Sequence, residues 1–143
     1  MHAVKKAIAV VVGAFIFMIS DATWIGGLMS GFYIRGFGTH LALVNGSITI
    51  AYLPAVLLYL VIGLGIYHFV RPTSEKDLAY IIKRAALFGF VMYAFYDLTN
   101  ATLLSDYGWS VVIVDTLWGT FATTLTSTLL FLLSRRFSFF RSV

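Results

Sequence analysis

The sequence predicts an all-α fold: an integral membrane four-helix bundle, built as a single transmembrane domain over residues 1–143, with both termini cytoplasmic. Three observations carry that expectation. The chain is 60% hydrophobic and 11% charged, against about a quarter charged in soluble domains, so a soluble core could not hide its apolar surface. Its mean hydropathy is +0.93. Four apolar runs, near 6–30, 47–70, 82–104 and 110–134, are long enough for the roughly 20 helical residues that cross about 30 Å of hydrocarbon. Basic residues gather beside alternate ends of these runs, which fixes an orientation.

The first run follows Lys5 and Lys6 as a signal peptide would. Its apolar character continues past Asp21 through TWIGGLMSGF, too far for a signal peptide's apolar region, so it is expected to be retained as a helix. The connection GFYIRGFGTHLALVNG is Gly-rich and half apolar; it suits an outer surface or interface and is too interrupted to be a fifth span. After the second run, Pro72 breaks the helix, and Ser74 with Asp77 three residues later has the spacing of a capping box that would start the third. The tail FSFFRSV suits the interface.

Arg71, Lys76, Lys83 and Arg84 lie between runs two and three, and Arg135, Arg136 and Arg141 follow run four, whereas the other two loops carry only Arg35. The positive-inside rule then predicts cytoplasmic termini, in a cell (inner) membrane. The net charge of +4 thus reads as topology and not as a nucleic-acid surface. With no cysteine, and with His2, His40 and His68 far apart, neither a metal site nor a cofactor is expected. The expected surroundings are the lipid bilayer, with a homodimer or another membrane protein as possible partners.

Of six acidic residues, Asp21, Asp97 and Asp115 fall inside the apolar runs. An aspartate at a helix centre costs about 2.5–3.5 kcal/mol on insertion scales, so three need an account. At 1.5 Å per residue all three come about 9–10 Å below the outer boundary, a shared layer to which the second run would add Tyr52 and Pro54. Helical spacing puts Ala86, Gly89, Tyr93, Asp97 and Asn100 on one stripe, with Phe88, Met92 and Phe95 on a lipid flank. Asp115, Gly119, Ala122 and Thr126 form a second stripe, and Gly13, Phe17, Asp21 and Trp24 a third. These faces should meet. With no Lys or Arg at that depth, burial and mutual repulsion favour protonation of at least one carboxyl at neutral pH. The candidate polar site is Asp21, Trp24, Tyr93, Tyr96, Asp97, Asn100, Asp115 and Trp118. Trp24 falls nearer the interface, as a belt residue would, and Trp118 deeper, where it could line a cavity.

Three segments, SDATWIGGLMSGFY, FGFVMYAFYDLTNATLL and VDTLWGTF, resemble in order and spacing the small four-span predicted membrane protein family known as domain of unknown function 2177. The resemblance runs from about residue 15 to 125, and its most specific elements are Tyr96 to Asn100 and the Asp-x-x-Trp-Gly of Asp115 to Gly119. Two departures stand out: Ser20 replaces an apolar residue before Asp21, and no Pro follows Trp109. The resemblance implies the architecture and the choice of site residues, and it brings no activity.

Three functional readings follow from the residues. The acidic layer could serve a small proton-linked transporter; it could hold together a non-catalytic assembly or interaction subunit; or two carboxyls could act as acid and base in an enzyme on a lipid or isoprenoid. Whether the chain is an enzyme is left open. An intramembrane aspartyl protease is disfavoured because Ile113 and Val114 stand where Gly-x-Gly-Asp would be needed before Asp115. Asn45-Gly46-Ser47 also fits an N-glycosylation acceptor.

Overall fold

A computed structural model describes residues 2–137. Four helical stretches, Ala3–Leu28, Tyr52–Val70, Leu78–Leu103 and Trp109–Arg136, are long and apolar enough to cross a membrane. Their limits lie within a few residues of those expected, except that the second starts later and the third earlier. Most of the tail FSFFRSV lies outside the described residues.

Helix α1, His2–Asp21, gives way to a wider π-helical segment at Ala22–Leu28, where the Met29 N–H reaches back five residues to the Trp24 carbonyl. Such widening alters the rotation of the residues that follow, so Trp24 is presented differently from a residue on a regular α-helix. A short helix α2, Ser30–Phe37, and a single 3-10 turn, Gly38–His40, follow. Then comes a minimal antiparallel hairpin, β1 Leu43–Val44 and β2 Ser47–Ile48, with Leu43 opposite Ile48. Asn45 and Gly46 both have positive φ, 51° and 76°, as a two-residue turn matching strand twist requires. The glycosylation triplet is therefore the hairpin turn.

Helix α3, Tyr52–Gly65, runs into a second π-helical segment, Ile66–Val70, that ends on Arg71 in the left-handed region. Pro72 follows, as expected. The Arg84 guanidinium donates twice to the Phe69 carbonyl, at 2.7 and 3.0 Å, satisfying an acceptor that this helix end exposes. Helix α4, Leu78–Leu103, starts with Asp77 as its cap, whose side chain accepts from the Tyr80 N–H at 3.3 Å. Ser74 instead falls in the preceding turn, so the expected capping box is replaced by a single Asp cap. Helix α5 spans Trp109–Arg136.

Helix α5 packs along α4, α1 packs on α3 and α5, and the segment Ile66–Val70 closes onto α4. Glycine sets the closest crossings. A Cβ on Gly63 would stand 2.6 Å from the Val10 carbonyl oxygen, and one on Gly89 would stand 2.8 Å from the Gly119 carbonyl oxygen. Small residues let backbones approach where there is no water to drive helices together. The three stripes expected to point inward do so, since Gly13, Phe17, Asp21, Gly89, Asp97, Asp115, Gly119, Ala122 and Thr126 are all buried. Phe88 departs from its expected lipid flank: it is half-buried over Gly65 and Phe69, while Met92 and Phe95 are exposed. On α3, Tyr52 and Pro54 are exposed and do not join the acids. The helix contributes Tyr59 instead, seven positions further along.

The chain thus has two dissimilar ends. The terminal side holds the start of α1, the end of α5 and the connection 71–77; the loop side holds α2, the hairpin and the connection 104–108.

Candidate functional site

Asp21, Asp97 and Asp115 are 4%, 0% and 5% exposed. Asp21 ends α1, Asp97 lies six residues before the end of α4, and Asp115 six residues after the start of α5. At about 1.5 Å per residue the latter two sit about 9 Å beneath the loop-side connection.

Each carboxyl accepts a hydrogen bond from an aromatic side chain on another element. The Trp118 indole N–H donates to Asp21 Oδ1 at 2.7 Å, joining α5 to α1. The Tyr59 hydroxyl of α3 approaches the same carboxyl. Tyr107, in the loop-side connection, donates to Asp97 Oδ1 at 2.7 Å, while Thr116 of α5 donates to Oδ2 at 3.1 Å. Tyr33 of α2 donates to Asp115 Oδ1 at 2.5 Å. The oxygen of Tyr33 also accepts from the Trp24 indole N–H at 3.2 Å. Trp24 in turn stacks on Trp118, with ring centroids 4.5 Å apart and planes 5° from parallel. Asp21 and Asp115 are therefore ends of one polar and aromatic chain through Trp118, Trp24 and Tyr33.

Burial raises the ionisation of the Tyr33 hydroxyl above the usual tyrosine range, and the neighbouring Asp115 carboxyl adds to the rise. Burial and then Asp97 act likewise on Tyr107. Both phenols therefore remain protonated donors at neutral pH, the form that a carboxyl oxygen can use.

Of the eight residues expected at the site, the structure brings Asp21, Trp24, Asp97, Asp115 and Trp118 into these contacts. Tyr93 is half-buried among α1, α4 and α5, its ring 6.4 Å from that of Phe17 and pressed over Gly119. Asn100 is half-buried near the Tyr107 and Tyr96 hydroxyls. Tyr96 is 51% exposed and donates to none of the three carboxyls. The two tryptophans, separated by the depth argument, instead stack as a pair. Tyr33, Tyr59 and Tyr107 complete the site without having been singled out by the sequence. A buried acid needs a donor, but with eight tyrosines in the chain only the fold says which ones reach. Arg35, the one Lys or Arg that the sequence places in the loop-side connections, is exposed on α2.

Beside the stacked pair an open groove of about 380 Å³ is walled by Trp24, Val114, Leu117, Trp118 and Phe121. The indole N–H groups point inward to Asp21 and Tyr33, so the groove receives the hydrocarbon parts of the rings. Among the described residues, no group of three or more His, Cys, Asp and Glu side chains is arranged to hold a metal ion.

Helices of this length and apolarity, with aspartates buried between them, define an all-α polytopic membrane protein of unknown function. Residues 6–132 match the family model described as predicted membrane protein, domain of unknown function 2177, and the chain belongs to that family. No curated protein and no solved structure matches it.

Proposed function

We propose that the chain is a small proton-linked carrier, in which buried carboxyls couple protonation to the opening of the loop side. One observation carries the reading: the loop-side cover is fastened directly to the acids, through Tyr33 on Asp115 and Tyr107 on Asp97. A hydrogen bond to an ionised carboxylate is roughly twice as strong as a neutral one. Protonation therefore loosens both ties and adds an O–H that needs an acceptor of its own. A change of charge at the acids becomes a change in the grip on the cover, which is the coupling a carrier requires. The termini would face the cytoplasm, in keeping with the basic residues on their side, and a homodimer would supply the surface that four spans lack.

The test is proton flux into sealed vesicles containing the purified protein, followed with an internal pH dye. Asp97→Asn should abolish flux above that of empty vesicles. Equal flux through Asp97→Asn and the parent protein would remove the reading.

A second reading, a non-catalytic assembly subunit, is favoured by a different feature. Helix α3 packs mainly on α1, leaving Tyr52, Leu53, Val56, Leu57 and Leu58 exposed, a face that another membrane helix could cover. A stable partner co-purifying with a variant carrying Asn at all three acids, with function retained, would select this reading.

A further inference from the structure

We infer that the buried face of α5 carries a narrow water-accessible track from the acidic layer to the terminal side. It starts at Asp115 and runs through Thr123, Thr126 and Ser127 to Ser134. Their spacings of eight, three, one and seven residues keep them within one broad helix face, and all are at most 5% exposed. From Asp115 to Ser134 the rise is about 28 Å at 1.5 Å per residue, close to a full hydrocarbon thickness.

The hydroxyls on this face differ from their neighbours on the same helix. Thr120, Thr124 and Thr128 each donate to the carbonyl four residues back, at 2.7–2.8 Å, the usual way a hydroxyl in an apolar helix satisfies itself. Thr123, Thr126 and Ser127 are 0% exposed, and none of their hydroxyl oxygens has a hydrogen-bond partner. An unsatisfied buried polar group costs about 1–3 kcal/mol, and Val or Ala would fill the same space without that cost. Three such groups in succession on one face are explained by something that passes along it and hydrogen-bonds as it goes.

A second observation marks where the track emerges. At its terminal end a chamber of about 20 Å³ is lined by Tyr67, Arg71, Thr73 and Ser134, among others. That volume holds one water, which needs two to four polar partners, and this lining provides them. The Ser134 hydroxyl donates to the Phe131 carbonyl at 2.7 Å, leaving its oxygen able to accept. The opposite end is closed by the Tyr33 and Tyr107 ties. Asp115 is thus covered from the loop side, and the buried hydroxyls of Thr123, Thr126, Ser127 and Ser134 follow it along α5 toward the terminal side. As a route for protons the track rests on the carrier reading; as a path for water it does not.

The chain contains no cysteine, so single thiols can be introduced without removing any. Thr126→Cys, Ser127→Cys and Ser134→Cys are compared with the lipid-facing Leu129→Cys and Leu132→Cys, each in sealed vesicles of known orientation. Silver ion, a water-borne thiol reagent, is added from the terminal side, and the labelled fraction is read by intact mass. Thiols on the track should react at least about tenfold faster than the lipid-facing ones, because a thiol in apolar surroundings stays protonated and inert. Equal rates at Thr126, Ser127 and Leu129 would overturn the track, and the near-isosteric Ser→Cys changes guard against misfolding as the cause. The two proposals fail separately. Labelling without Asp97-dependent flux leaves the track and removes the carrier, whereas Asp97-dependent flux without labelling does the reverse.

Discussion

Removing one oxygen tests the acid-to-cover tie. Tyr33→Phe deletes a hydroxyl that donates to Asp115 at 2.5 Å and accepts from Trp24 at 3.2 Å, while leaving the ring, 1% exposed, in its packing against Phe32 and Phe37. Two buried groups then lose a partner. Mutational data put each such loss at about 1–3 kcal/mol, whereas interhelical bonds in a membrane protein average about 0.6 and reach about 1.7. The shorter bond falls in the charge-assisted range and the longer one is weak, so the expected net loss is about 1–2 kcal/mol. Reversible unfolding in detergent, followed by tryptophan fluorescence, measures it, since Trp24 and Trp118 adjoin the lesion. The decisive quantity is the cycle formed by Tyr33→Phe, Asp115→Asn and the double variant. Its coupling should be about 1 kcal/mol, and additivity within about 0.3–0.5 kcal/mol would refute the tie. A pH arm follows from the raised Tyr33 ionisation. A phenol whose folded pKa exceeds its unfolded value of about 10 contributes stability that is complete below about pH 10 and is lost as pH climbs toward the folded value. The parent protein should therefore lose stability more steeply above about pH 10 than Tyr33→Phe does.

Three further substitutions probe the frame around the acids. A Cβ on Gly119 would overlap the Tyr93 ring, which is itself backed by Phe17, so Gly119→Ala should cost at least the roughly 1–3 kcal/mol of an overpacked core. A Cβ on Gly26 meets nothing within 4 Å, and Gly26→Ala should show no such loss in the same melting experiment. Trp118→Phe keeps a ring beside Trp24 but deletes the N–H held by Asp21, and about 1 kcal/mol of stability should go with it. Unfolding unchanged from the parent would show that Tyr59 alone satisfies that carboxyl.

The helices were legible because hydrocarbon thickness demands long apolar runs, and because their inward faces repeat small and polar residues every three or four positions. Asp97 and Asp115 were placed at equal depth by counting residues from helix ends, and the structure agrees. Thr116, within reach on the next helix, was legible as a partner of Asp97; what counting could not supply was the aromatic partners. Tyr33 and Tyr107 come from connections, whose path no periodicity describes, and Tyr107 reaches Asp97 only because the segment 104–108 folds back over α4. Tyr52 was put at the acids' depth, but α3 starts at Tyr52, which leaves it exposed at the helix end; Tyr59, seven residues further in, faces Asp21 instead. The pairing of Trp24 with Trp118 depends on a π-helical segment, and Ala22–Leu28 carries no sequence pattern that announces one. The hairpin turn is legible in Asn45-Gly46, a strong two-residue turn signal, but the flanking residues alternate too weakly to mark strands.

The two ends of the molecule are secured by different chemistry, and that difference bears on what the acids are for. The terminal side is secured by exposed caps, Asp77 at the start of α4 and Arg84 on the Phe69 carbonyl, whose partners are backbone groups that any helix end offers. The loop side is secured by buried carboxyls reaching up to aromatic hydroxyls, a costlier arrangement. An aspartate in a membrane helix costs about 2.5–3.5 kcal/mol to insert, and an interhelical hydrogen bond returns about 0.6 on average. Even two bonds to Asp97 do not close that gap. An asparagine at the same place would keep an acceptor oxygen and avoid the charge. What aspartate adds over asparagine is an exchangeable proton and the charge that goes with it. Stability alone thus favours a residue the chain does not use, and under the carrier reading the chain keeps Asp97 and Asp115 for the one property that asparagine lacks.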